Sequence, residues 1–126
     1  MKAMIKNIES IMNPKSIAVV GATNRPGSVG LAVFRNILIA GFQGVLYPVN
    51  PKAKYVQSVK AYPKLEDIPD EVDLAVVIVP AEIVCPILEE AGESQVKGAI
   101  VITAGFKEIG GHGVELENCV KQVVAK

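Results

Sequence analysis

The 126-residue sequence contains no tryptophan, one histidine, two cysteines and only 5% aromatic residues. A lone His112 and two cysteines without paired spacing do not make a zinc site, so no metal is expected. Cys85 and Cys119 both fall in segments of helical period and read as small buried apolar side chains in a reducing, cytoplasmic setting. Net charge is missing too. Thirteen Lys and Arg balance thirteen Asp and Glu, which leaves no global field to attract nucleic acid or an acidic membrane. Tyr47, Tyr55 and Tyr62 stand without a basic stripe and are expected to pack at a sheet edge rather than stack on bases. No apolar run approaches a membrane span, and the N-terminus lacks the apolar core of a signal peptide.

What the chain does have is aliphatic bulk. Half of its residues are hydrophobic, mainly Val, Ile, Ala and Leu, the usual filling of a buried parallel sheet. Its length fits one domain, residues 1–126, around one core. Met4, Ile5, Ile8, Ile11 and Met12 predict a short amphipathic helix that Asn13-Pro14 ends. A strand is expected at Ser16–Val20, then a glycine loop, then a helix capped by Ser28. Val29, Val33, Phe34, Ile37 and Leu38 line one face of that helix, and Gly41 closes it. Val45–Val49 reads as a second strand, Val59–Tyr62 as a short one, and Leu74–Val79 as a continuous apolar strand stopped by Pro80.

Ile83, Val84, Ile87, Leu88 and Ala91 predict a helix with Pro86 in its first turn or at a kink. A last strand at Ala99–Thr103, a second glycine loop and a helix at about 114–125 complete the pattern. Glu89, Glu90 and Glu93, like Glu115 and Glu117, read as solvated helix faces. The alternation predicts the α/β class: a Rossmann-like three-layer fold with a mostly parallel sheet of about five strands. The expected order is 3-2-1-4-5, with Val59–Tyr62 at one edge.

In such a sheet ligands sit at the carboxyl ends of the strands, near the point where the strand order reverses. The loop Gly21 to Gly30 is therefore the first candidate, because a glycine loop leading into a helix N-terminus holds phosphate. It lacks the full G-x-G-x-x-G of dinucleotide folds, since Ala22 and Thr23 follow Gly21. It also fails the P-loop spacing, with Ser28 after Gly27 where a lysine is required. A site for NAD wants an acidic residue after the second strand; this chain has Asn50-Pro51-Lys52, with Arg25 available from the first loop. Cations there suit a phosphorylated ribose, as in NADP or coenzyme A.

The runs S-I-A-V-V-G-A-T-N-R-P-G-S-V-G, Y-P-V-N-P-K, D-L-A-V-V-I-V-P-A and A-I-V-I-T-A-G-F resemble the coenzyme A-binding domain of the nucleoside-diphosphate-forming acyl-CoA synthetases. That group includes ADP-forming acetyl-CoA synthetase and the succinyl-CoA synthetase α subunit. The resemblance covers about residues 10 to 125 and implies CoA as the ligand. It implies that Gly21, Ala22, Thr23, Gly27, Ser28, Val29 and Gly30 wrap the coenzyme's phosphates. Pro51 and Lys52 would then meet the ribose phosphate, Val79, Pro80 and Ala81 would wall the adenosine and pantetheine, and Thr103, Ala104, Gly105 and Phe106 would lie near the thiol.

Ala104 stands where the succinyl enzyme has Glu, as in ADP-forming acetyl-CoA synthetases. The family's phosphohistidine domain and ATP-grasp part do not fit in this length, so the chain is expected to be an N-terminal module that acts with them as partners. No catalytic residue is assigned to it. His112 is expected in a loop role, and Glu108 resembles an acidic residue of the loop that escorts the family's phosphohistidine. The other expectation, from a different class, is a stand-alone regulatory domain sensing CoA or NADP.

Overall fold

A computed structural model describes residues 12–102. The expected helices at 3–12 and 114–125, the loop from Thr103 to Gly113 and Cys119 lie outside the described residues, apart from Met12 itself. Four parallel strands form the main sheet: β1 (Ser16–Val20), β2 (Val45–Val49), β5 (Leu74–Val77) and β6 (Gly98–Val101), in the order β2-β1-β5-β6. A helix α1 (Val29–Ile39) connects β1 to β2, and α2 (Ala81–Glu93) connects β5 to β6. Between β2 and β5 lie a two-stranded antiparallel hairpin, β3 (Tyr55–Val56) with β4 (Val59–Lys60), and a 3₁₀ turn at Leu65–Asp67.

The period-two alternation of buried strands decides which helix covers which face. Ile17 and Val19 of β1 and Leu74 and Val76 of β5 pack with Phe34 of α1 on one side. On the other side, Ala18 and Val20 pack with Ala91 of α2, while Ala75 and Val77 pack with Val84 and Leu88 of the same helix. All five residues of β1 are buried, as expected of a strand covered on both faces. The predicted α/β class with three layers is the observed one. Phe34 is fully buried at the centre of the α1 layer.

Several details differ from the expectations. Val59–Lys60 is not an edge strand of the main sheet but half of the hairpin, and only the bridge Val49↔Tyr62 reaches β2. The turn Gln57-Ser58 carries positive φ at both residues, 49° and 69°, as a two-residue type I′ turn requires. Without Asn or Gly there, the sequence gives no hairpin signal. β5 ends at Val77, and α2 begins at Ala81, so Pro86 lies in its second turn, where it removes the N–H that would bond the Glu82 carbonyl. Val29 and Leu38 of α1 and Ile83 of α2 are exposed rather than facing the sheet. Cys85 is half-buried and is not a free thiol.

Candidate functional site

The chain leaves β1, crosses through α1 to β2 on one side, and returns to β5 on the other side of β1. The order therefore reverses between β1 and β5, and a crevice opens beyond their carboxyl ends. Gly21 sits at that reversal with φ +98°, and a Cβ placed on it would run into the backbone carbonyl of Ile78, just past β5. Only glycine fits both the conformation and the space. The Gly21 N–H donates to Val49 O (3.1 Å) and the Ile78 N–H to Val20 O (2.7 Å), so the ends of β1, β2 and β5 are tied together.

From there the loop is shaped by side chains that bond backbone. The Arg25 N–H donates to Thr23 Oγ1 (3.1 Å), and the Ser28 hydroxyl donates to Arg25 O (2.7 Å). Ser28 Oγ also accepts from Leu31 N (3.2 Å), which makes it the N-cap of α1, as its position predicted. The amides of Val29 and Gly30, in the first helical turn, are left without intrahelical acceptors. Gly30 packs so closely that a Cβ there would meet the Gly21 carbonyl, which draws the helix start against the loop. This is the geometry that receives an anionic group.

The loop after β2 is joined to the first by Asn50. Its Nδ2 donates to Ala22 O (2.9 Å), while its Oδ1 accepts from Lys52 N (2.8 Å) and Ala53 N (3.0 Å). One amide thus fixes Pro51 and Lys52 against the glycine loop. The Arg25 and Lys52 residues are exposed, and among the described residues neither enters a salt bridge. Val79 is half-buried and Pro80 caps α2 beside the same crevice. The Ile102 N–H donates to Val77 O (2.8 Å), so β6 ends next to β5, but Thr103, Ala104, Gly105 and Phe106 lie outside the described residues. Three of the four predicted strand-end groups are therefore brought together.

A fourth contributor escaped the sequence reading. Asn24, at the tip of the glycine loop, donates from Nδ2 to Tyr55 O (2.7 Å) and accepts at Oδ1 from Gln57 N (2.9 Å) and Gln57 Nε2 (3.3 Å). It latches the β3–β4 hairpin to the loop. Its partners lie more than thirty residues away, and no local pattern announces such a contact. The tyrosines also part company: Tyr47 and Tyr62 pack edge-to-face, with centroids 5.8 Å apart, whereas Tyr55 is exposed.

Comparison with known proteins gives the family. Residues 15–123 match the family model described as a CoA binding domain. The chain is 40% identical over 122 residues to the ADP-forming acetate–CoA ligase II of Archaeoglobus fulgidus, covering 97% of this chain and 18% of that protein. It is 44% identical to an ADP-forming 4-hydroxybutyrate–CoA ligase of Nitrosopumilus maritimus, over 92% of this chain and 16% of the relative. The apo dinucleotide-forming acetyl-coenzyme A synthetase 1 of Ca. Korarchaeum cryptofilum superposes with a TM-score of 0.87 at 44% identity, over 94% of this chain and 26% of the other. The chain thus spans about a quarter or less of each of these proteins. Among the described residues, no helix is long and apolar enough to cross a membrane.

Proposed function

Because the chain belongs to the CoA-binding domain family, we propose that it binds coenzyme A and serves as the CoA-binding part of an ADP-forming acyl-CoA synthetase of the acetyl type. One observation supports this reading: the helix-start amides, Arg25 and Lys52 stand on two strand-end loops that Asn50 joins at the sheet reversal. The diphosphate lies on the Gly21–Gly30 loop, where Gly27, Val29 and Gly30 present backbone N–H groups, Ser28 caps the helix, and the helix dipole favours negative charge. Lys52 and Arg25 neutralise the ribose 3′-phosphate. Val79, Pro80 and Ala81 form the wall along the adenosine and pantetheine, and Thr103, Ala104, Gly105 and Phe106 carry the thiol end. The domain holds and presents the carrier; phosphoryl transfer belongs to a phosphohistidine domain and an ATP-grasp part acting with it.

Calorimetric titration with CoA, dephospho-CoA, NADP and NAD tests the proposal. CoA should bind tightest, and Lys52→Glu should weaken CoA roughly tenfold while changing dephospho-CoA little. Equal affinity of the wild-type chain for CoA and dephospho-CoA would remove the roles of Lys52 and Arg25. No binding of CoA at all would end the proposal.

A further inference from the structure

Strand β3 has one residue turned in and one turned out. Val56 is fully buried and anchors the hairpin in the α1-side core, while Tyr55 is 62% exposed, the most exposed aromatic side chain among the described residues. An exposed aromatic ring is not unusual, but this one is held on purpose-built backbone. Its carbonyl accepts from Asn24 of the glycine loop, and the same Asn24 fixes the adjoining Gln57. Tyr55 also follows Lys52 by three residues, so the two Cα atoms are no more than about 11 Å apart. Its cross-strand neighbour Lys60 directs its ammonium over the Tyr62 ring, 5.5 Å from the centroid, and leaves Tyr55 alone. Among the described residues the Tyr55 ring enters no aromatic or cation–π pair.

We infer that the β3–β4 hairpin forms the purine subsite of the crevice, with the Tyr55 ring as the stacking face for the adenine and Asn24 as the residue that positions it. The inference rests on the CoA reading above. In CoA the adenine is attached to the ribose that carries the 3′-phosphate. Wherever Lys52 holds that phosphate, the base falls within a sugar's width of it, and Tyr55 is the aromatic surface available there. Stacking accepts any purine face and needs no hydrogen-bonding pattern, which fits a ring presented on an exposed hairpin.

The test measures binding of CoA and of 4′-phosphopantetheine, which lacks the nucleoside, to the 126-residue chain and its variants. Tyr55→Ala should weaken CoA about tenfold and leave 4′-phosphopantetheine within about twofold, and Tyr55→Phe should restore CoA affinity to within about twofold. CoA, but not 4′-phosphopantetheine, should shift the Tyr55 ring resonances upfield. Unchanged CoA affinity in Tyr55→Ala overturns the inference and leaves the CoA reading standing. Parallel loss of both ligands also overturns it, because a displaced hairpin and not a lost ring would then be responsible. A wild-type chain that ignores CoA overturns the parent reading and this one with it.

Discussion

The two ends of the β-sheet are built from opposite uses of charge. At the amino end, charges are paired. Lys97 Nζ lies 3.0 Å from Glu71 and 3.3 Å from Asp73, and Asp73 also accepts from the Lys15 N–H at 2.9 Å. Ser16 completes the stitching, donating to Glu71 O and accepting from Asp73 N. A cavity of about 410 Å³ lies at this end as well, lined by Leu65, Glu66, Ile68, Asp70, Val72 and Glu93 among others. At the carboxyl end, Thr23, Asn24, Ser28 and Asn50 spend their hydrogen bonds mainly on backbone, and among the described residues Arg25 and Lys52 enter no salt bridge. This hollow, with its acidic rim, is thus at the end whose charges tie the strands together. The carboxyl end presents the helix-start amides and the two cations to which the proposed function assigns an anionic ligand.

The largest effect should come from breaking the carboxyl end at its reversal point. Gly21→Ala forces a Cβ into the Ile78 carbonyl and should cost about 3 kcal/mol or more in denaturant unfolding. Gly27→Ala is the control: φ is also positive there, at +80°, but nothing lies within reach of the new methyl, so about 1 kcal/mol is expected. A similar loss in both would show that conformation, and not the close approach, makes Gly21 necessary.

At the amino end, Asp73→Ala should cost about 2 kcal/mol and leave CoA affinity unchanged. The carboxyl of Asp73 is held below the usual carboxylate range, first by the Lys15 N–H and then by Lys97. A lowered value means the contribution is present above the ordinary carboxylate pKa and is lost as pH falls through the folded one. The variant should therefore show a shallower loss of stability on acidification, read from denaturation midpoints at successive pH values.

Ser28→Ala removes the cap from Leu31 N and should lower stability by about 1 kcal/mol, seen as a small drop in unfolding midpoint. An effect of the same size at neutral pH belongs to Tyr47, whose hydroxyl donates to Asp70 at 2.8 Å. Burial, reinforced by Asp70, pushes the Tyr47 hydroxyl up to about 12. The folded state keeps this proton after the unfolded state has lost it. Stability from Tyr47 is thus whole below pH 10.0 and declines as pH rises toward about 12. Tyr47→Phe should cost about 1 kcal/mol at pH 7 and remove that part of the alkaline decline.

The same contrast explains what could be read without coordinates. The strands at Ser16, Val45 and Leu74 were legible as apolar runs, because a parallel sheet covered on both faces tolerates little else. Gly21 and Ser28 were legible because a strand end and a helix cap each impose local chemistry. The hairpin was not, since Gln57 and Ser58 occupy positions where Asn or Gly would have signalled a turn. Asn24 was not legible for a different reason. Its importance lies entirely in partners brought near by the fold, and an asparagine in a glycine loop looks like any other turn residue. Tyr55 reads in the sequence like the packed tyrosines, because composition cannot say which of two alternating faces a two-residue strand turns outward.

The meeting of Gly21 with Ile78 also sets a sequence of events in time. The chain reaches Ile78 only after α1, β2 and the hairpin, so the first loop cannot take its final shape when it is made. It waits for a strand from far along the chain, a non-local pairing of the kind that slows folding. Local helix formation in α1 can run ahead, but the loop takes its final shape only once β5 has docked beside β1. Anion binding at this loop would then serve as a late clock for folding, silent in any intermediate that lacks the central strand pair.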